Sequence, residues 1–162
     1  VLGQISFSFD KRGETSVDNQ VFVFKVALKY AKRIWRRIAI PGDHTLADLH
    51  DAIFDAFDRF DEHLYSFYFT ANPSSKSRSR LRGVPEYTHP HSQTGNNAAA
   101  TRISSLRLNL KDRFEYLFDY GDDCWHEITL EETRPMETGQ TYPQVIAARG
   151  DSPPQYPDME EE

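Results

Sequence analysis

The stretch from Ile34 to Tyr68, IWRRIAIPGDHTLADLHDAIFDAFDRFDEHLYSFY, constrains the fold more than any other part of the chain. Ile34, Ile38 and Ile40 alternate with more polar residues, which predicts a strand over Arg33–Ile40. The same period of two puts Arg36 on the inward face and Arg37 on the other, so the Arg36 guanidinium must leave the sheet edgewise or find a partner. Pro41-Gly42-Asp43 is a turn by composition. Thr45 then serves as an N-cap, with Asp48 in the reciprocal capping position. Leu46–Phe57 reads as a helix: Leu46, Leu49, Ile53, Ala56 and Phe57 form one stripe, and Asp48, Asp51, Asp55 and Asp58 lie opposite. The plainer explanation of those four carboxylates is a solvated face. His50 falls at the edge of the apolar stripe, beside Phe54 and Phe57. Leu64–Thr70 follows as a strand.

The flanking segments supply more strands. Gln4–Phe9 alternates apolar and polar residues, and Lys11–Asn19 reads as a loop. Gln20–Tyr30 is β-branched and aromatic with apolar residues on both faces, as a central strand requires. Its hairpin with Arg33–Ile40 carries Lys29, Lys32, Arg33, Arg36 and Arg37. Arg113–Asp119 alternates Phe114, Tyr116 and Phe118. Cys124–Glu132 puts Cys124, His126, Ile128 and Leu130 on one face, with Trp125, Glu127 and Thr129 on the other, and Tyr120–Asp123 joins the two as a hairpin turn. Leu106, Leu108 and Leu110 suggest a short strand or docking segment. Residues 72–102 are rich in Ser, Arg, Asn, Gly and Pro, which predicts a mobile insertion with a basic SSKSRSRLR run. After Pro135 the chain is polar and Pro-rich apart from Val145–Ala148, ending in an acidic tail over about 150–162.

The expectation is therefore one α+β domain over 1–162, with its core in about 20–70 and 103–134. A mostly antiparallel sheet of about five to six strands carries the helix across one face. The order hairpin, helix, further strands is analogous to a β-grasp arrangement, which bears on fold and not on activity.

Eleven Phe, eight Tyr and two Trp compensate for a hydrophobic fraction of 38% and make a single core feasible in 162 residues. Nineteen basic against twenty-five acidic residues give a net charge of −6, which disfavours indiscriminate nucleic-acid binding without excluding a local basic patch. A single cysteine, Cys124, rules out an internal disulfide and a multi-thiolate zinc site within one chain, and fits a reducing cytoplasm. No apolar run approaches the roughly 18–20 residues of a membrane span, and the first residues lack a basic-then-apolar layout. A cytoplasmic protein with no membrane partner is the expectation.

Taken together, IWRRI at 34–38 with Pro41, TLADLHDAI at 45–53, His63-Leu64-Tyr65-Ser66-Phe67, FDYGDDCWHEI at 118–128 and Pro153-Pro154 resemble the plasmid pRiA4b Orf-three-like family. The similarity runs from about Val21 to Pro154, interrupted by 72–102. Two departures stand out. Typical members read His-Leu-His where this chain has His63-Leu64-Tyr65, and many end in a PPED-type segment where it has Pro153-Pro154-Gln155-Tyr156. The resemblance implies no defined activity. Labels such as resolvase-like or repressor-associated find no serine nucleophile motif and no basic recognition helix here.

The sharpest constellation is His50, His63, Asp119, Asp122, Asp123 and His126. Were the hairpin to pack near the helix-to-strand connection, His50, His63 and His126 could hold a divalent metal (zinc, manganese or iron) that polarises a carbonyl or phosphoryl group or activates water. The spacing matches no signature such as HExxH. The plainer explanation makes His50 a core-edge histidine, His63 a helix cap and Asp119–Asp123 a turn with Trp125 packed beneath. Cys124 reads as a buried small hydrophobe: His126, two residues on, lies about 7 Å away along a strand, and nearby carboxylates oppose a thiolate. Trp35, Arg36 and Arg37 could make an anion or nucleotide surface, or be a strand edge kept soluble by Arg. Three function classes follow. The favoured one is a non-enzymatic binding or adaptor domain with a protein or small-molecule partner. The alternatives are a metal-dependent hydrolase or nuclease-like enzyme and a DNA-associated accessory protein.

Overall fold

The computed structural model describes residues 19–156; the expected strand at Gln4–Phe9 and the last residues of the acidic tail lie outside them. Eight strands form one sheet: β1 (Gln20–Leu28), β2 (Ala31–Pro41), β3 (Tyr65–Tyr68), β4 (Glu86–Thr88), β5 (Asn96–Asn97), β6 (Arg113–Phe118), β7 (Cys124–Pro135) and β8 (Gln144–Arg149). Their order across the sheet is β5-β4-β3-β6-β7-β1-β2-β8, antiparallel at every junction except β4–β5. Among the described residues one α-helix, α1 (Leu46–Ala56), crosses one face, so the fold is α+β. Among the described residues no helix is long and apolar enough to cross a membrane.

Local chemistry explains the helix. The Asp48 amide donates to Thr45 Oγ1 at 3.2 Å, and the Thr45 amide donates to Asp48 Oδ2 at 2.8 Å, a reciprocal capping box that satisfies helix-end donors. Leu46, Leu49, Ile53 and Phe57 are buried against Phe22, Phe24 and Val26 of β1, Ile38 and Ile40 of β2, and Ile128 and Leu130 of β7. β1 is central, as its two apolar faces require: Val21 and Val23 pack with Ala39 in a smaller cluster beneath the sheet, with Tyr142 against it.

Two expectations are corrected and one open alternative is decided. The 72–102 segment, expected outside the core, supplies β4 and β5, and Ala98 joins the core beside α1. Polar contacts organise it where aliphatics are lacking: Thr88 Oγ1 donates to the Thr94 carbonyl at 2.6 Å, and Asn97 Oδ1 accepts from the Ala99 amide at 2.8 Å. Of the two alternatives for Leu106–Leu110 the docking segment holds: Leu106 and Leu108 pack against the core, while Arg107 and Lys111 adopt left-handed backbone conformations (φ 55° and 75°) that break extended pairing, and Leu110 is exposed. The Val145–Ala148 patch is part of the edge strand β8, paired with β2; edge exposure of Val145 and Ile146 hides it from a burial-based reading.

Candidate functional site

Arg36 finds the partners its inward position demands. It is 6% exposed, and its Nε donates to the Ala56 carbonyl at 3.0 Å, Nη1 to the Trp35 and Arg149 carbonyls at 2.9 and 3.1 Å, and Nη2 to Ser152 Oγ at 2.8 Å. Its guanidinium lies 4.9 Å from the Phe57 ring centre. On the opposite face Arg37 pairs with Glu131 through Nε, and the Trp35 ring centre lies 4.6 Å from the Arg37 guanidinium and 5.1 Å from Lys25 Nζ. The expected anion surface of Trp35, Arg36 and Arg37 is therefore divided: Arg36 is buried as a structural clamp, and the other two remain outside.

Other basic residues expected on the surface are also internal. Arg80, from the basic run, forms a two-pronged pair with the fully buried Glu115, with Nη2 at 3.0 Å from Oε1 and Nε bonded to Oε2. Lys29 Nζ completes the set at 3.1 Å from Glu115 Oε1 and 3.6 Å from Glu127 Oε2, and donates to the Pro73 carbonyl. Arg80 also stacks 4.7 Å from the Trp125 ring centre. Periodicity placed Trp125 and Glu127 on this face, but not the arginine that covers them.

The three candidate histidines take separate environments. His50 is 3% exposed, stacked on Tyr65 with ring centres 3.8 Å apart and planes at 9°. Its Nδ1 meets the Tyr116 hydroxyl at 2.6 Å and its Nε2 meets Glu62 Oε1 at 3.0 Å. Burial pulls its pKa down to about 4 against the opposing pull of Asp51. His126 is fully buried; Arg59 Nη2 donates to its Nε2 at 2.8 Å, and its Nδ1 lies 3.2 Å from the Tyr116 carbonyl, so the Nδ1–H tautomer satisfies both contacts. Burial first, then the Arg59 charge, holds its pKa well down. His63 is half-buried, with Nε2 at 2.6 Å from the Tyr156 hydroxyl and 3.5 Å from Asp119 Oδ2.

The proposed convergence of His50, His63 and His126 on one ion is therefore corrected. Among the described residues the one group of three such ligands whose donor atoms lie within 4.8 Å of one another is His50, Asp51 and Glu62. Both His126 nitrogens are engaged by Arg59 and backbone, and His63 faces the C-terminal segment. Asp119 is a turn residue at φ 65°, its Oδ1 accepting from the Gly121 and Asp122 amides at 3.1 and 3.3 Å. Asp122 and Asp123 are exposed beyond it. Cys124 is half-buried; its sulfur accepts from Arg59 Nη2 at 3.3 Å, and burial, with Asp119 and Asp122, raises the thiol pKa despite Arg59. That opposes a thiolate nucleophile.

Two of the concave features adjoin the candidate histidines and the Asp122–Trp125 hairpin. One, of about 540 Å³, is lined by Leu28, Tyr30, Ala31, Cys124 and Trp125, by the exposed Asp122 and Asp123, and by Pro153–Tyr156 of the C-terminal segment. The other, of about 220 Å³, is lined by Ala47, His50, Asp51, Glu62, Tyr65, His89 and Pro90. Asp51 and Glu62 were not expected there: both are exposed acids, and only the return of the chain after α1 brings Glu62 to His50.

The family model described as plasmid pRiA4b ORF-3-like protein matches residues 20–158. The chain belongs to this family. The pRiA4b ORF-3-like chain is also 30% identical over 136 residues to the uncharacterized protein y4hQ of Sinorhizobium fredii, covering 81% of this chain and 63% of that one. It thus spans less than two thirds of that relative's length. Its fold is similar to the crystal structure of MM3350 from Methanosarcina mazei Go1, a protein of unknown function, with a TM-score of 0.69 and 26% identity over 84% of this chain and 72% of the other.

Both departures of this pRiA4b ORF-3-like chain from the expected pattern lie around the helix-to-β3 connection. Tyr65 is the ring stacked on His50. Gln155 Oε1 accepts from the Phe60 and Asp61 amides at 2.9 and 3.2 Å, while its Nε2 donates to the Asp61 carbonyl at 2.7 Å. The Tyr156 hydroxyl donates to Asp61 Oδ2 at 2.7 Å. The C-terminal segment is thereby strapped across residues 60–63 and forms the wall of the larger cleft.

Proposed function

We propose that this protein is a non-catalytic binding domain whose ligand seat is the 540 Å³ cleft between the β1–β2 turn and the C-terminal strap, and that the ligand is an extended, basic peptide segment. The observation that carries this reading is the composition of the cleft: apolar and aromatic lining from Leu28, Tyr30, Ala31 and Trp125, together with the exposed carboxylates of Asp122 and Asp123. A lysine or arginine side chain fits that chemistry, its alkyl stem against the apolar wall and its charge toward the carboxylates. The protein's own cations already use these rings, Lys76 lying 5.7 Å from the Tyr30 ring centre and Arg80 4.7 Å from that of Trp125. Tyr30 is 62% exposed, so one ring face is available for contact. The net charge of −6 favours approach of a basic partner.

The groups best suited to catalysis support a binding role rather than turnover. His126 is occupied at both nitrogens, and the Cys124 thiol is held protonated by burial.

Short Lys/Arg-rich peptides and their Glu-substituted counterparts, titrated while Trp fluorescence is followed, test the reading. Saturable binding of the basic set alone is expected, weakened roughly tenfold by Asp122→Asn/Asp123→Asn. Equal binding of acidic peptides, or no effect of that double substitution, overturns it.

A further inference from the structure

We propose that His50, Asp51 and Glu62 form a binding site for a divalent transition-metal ion, zinc or manganese, in the pocket walled by His89. The site shares no lining residue with the peptide cleft and stands independently of it. Its anchor is unusual for a surface acid cluster: an imidazole 3% exposed, clamped between the Tyr65 ring and the Tyr116 hydroxyl, with Nε2 turned toward the two carboxylates.

The spacing suits an ion. Bonds of about 2.0–2.2 Å at tetrahedral angles place donor atoms roughly 3.3–3.6 Å apart, so the contacts need to open or close by only a few tenths of an ångström. His50 Nε2 and Glu62 Oε1 are already 3.0 Å apart. Asp51 Oδ1 lies 4.0 Å from Nε2 on a side chain that is 70% exposed and free to swing inward. Glu62 is similarly adjustable, with a side chain 57% exposed, whereas the imidazole is fixed. One rigid nitrogen and two movable carboxylates can close around an ion without disturbing the core.

The surroundings match a ligand histidine. With an ion on Nε2, Nδ1 carries the proton and donates to the Tyr116 oxygen, the outer-shell bond that orients a metal-bound imidazole. Tyr116 is fully buried and immobile. The pocket leaves room beside the three donors for water, and His89, on the far wall, packs edge-on to Tyr65 with ring centres 5.6 Å apart. One nitrogen and two carboxylates suit manganese as well as zinc.

The test uses the metal alone. Mn(II) binding to the chelator-treated chain is followed by its paramagnetic resonance signal, and Zn(II) by competition with a chromogenic chelator. One saturable site per chain is expected for at least one of the two ions, weakened at least roughly tenfold by Asp51→Asn/Glu62→Gln. Both substituted side chains are exposed, and unchanged circular dichroism and melting of the metal-free variant establish that it folds. Asp55→Asn/Asp58→Asn, which removes two other carboxylates of the same helix region, is expected to leave affinity unchanged. No saturable binding of either ion, retained affinity in Asp51→Asn/Glu62→Gln, or an equal loss in Asp55→Asn/Asp58→Asn would overturn the site.

Discussion

Arg36 Nε, on β2, donates to the Ala56 carbonyl at the end of α1 at 3.0 Å, so one guanidinium closes the C-terminus of the helix onto the sheet. The same group holds the Arg149 carbonyl of β8 and the Ser152 hydroxyl of the strap, joining three elements that share no local sequence. Acceptors at a helix C-terminus need such donors, and a cation there also meets the favourable end of the helix dipole.

Arg36→Ala should therefore destabilise the fold by roughly 2–4 kcal/mol, since three part-buried carbonyls lose their donor at once. Arg36→Lys should recover less than half of the loss, because one ammonium cannot span the same acceptors. Urea midpoints at constant slope measure both.

Glu115 is the obligate partner on the other face. Glu115→Ala leaves Arg80 without its buried carboxylate and Lys29 with Glu127 alone, an expected cost of roughly 3–5 kcal/mol. Arg80→Ala leaves Glu115 paired with Lys29, so its cost should be smaller and local. Hydrogen exchange is expected to accelerate across residues 72–82 in Arg80→Ala while β1 and β7 stay protected.

Stability should fall on acidification from about pH 6.5 in chelator-treated protein. His50 and His126 both have folded pKa values below the unfolded value of about 6.5. The unfolded chain therefore takes up protons first, and the stability present above pH 6.5 is lost as pH falls toward the folded values. For His50 that window runs from 6.5 to about 4 and amounts to something on the order of 3 kcal/mol. Asp51 and Glu62, whose pKa values burial raises, act in the opposite sense and offset part of the loss. Urea midpoints at pH 7.5 and 4.5 check the sign, and a neutral substitute such as His126→Gln should flatten the slope.

Gly150 sits at φ +80°, and a Cβ there would lie 3.2 Å from the Ile34 Cα and 2.9 Å from its Cγ1. Gly150→Ala combines left-handed strain with a clash against β2 backbone, so a loss of roughly 1–3 kcal/mol is expected. Amide exchange should rise in β8 before it rises elsewhere.

The elements that follow from local pattern were legible in the sequence. The capping box of Thr45 and Asp48, the stripe of α1, the two-faced burial of β1 and the inward turn of Arg36 all come from periods of 3.6 or 2 and from caps three residues apart. Those rules act through neighbours along the chain and state which face a residue occupies. They do not state what lies opposite that face. Arg80 reaches Glu115 across 35 positions, Glu62 reaches His50 across 12, and Tyr156 reaches His63 across 93. Each pairing depends on the strand order β3-β6-β7-β1, on the return of the chain after α1, and on the strap crossing residues 60–63. For that reason His50, His63 and His126 separated into three environments, and an exposed helix aspartate and a loop glutamate became the neighbours of the His50 imidazole. The sequence by itself determined the helix, the main strands and the faces they bury, because backbone sterics and burial act locally. Only the tertiary structure decided which charges meet, because a buried charge is held by whichever partner the packed sheet brings within a few ångströms.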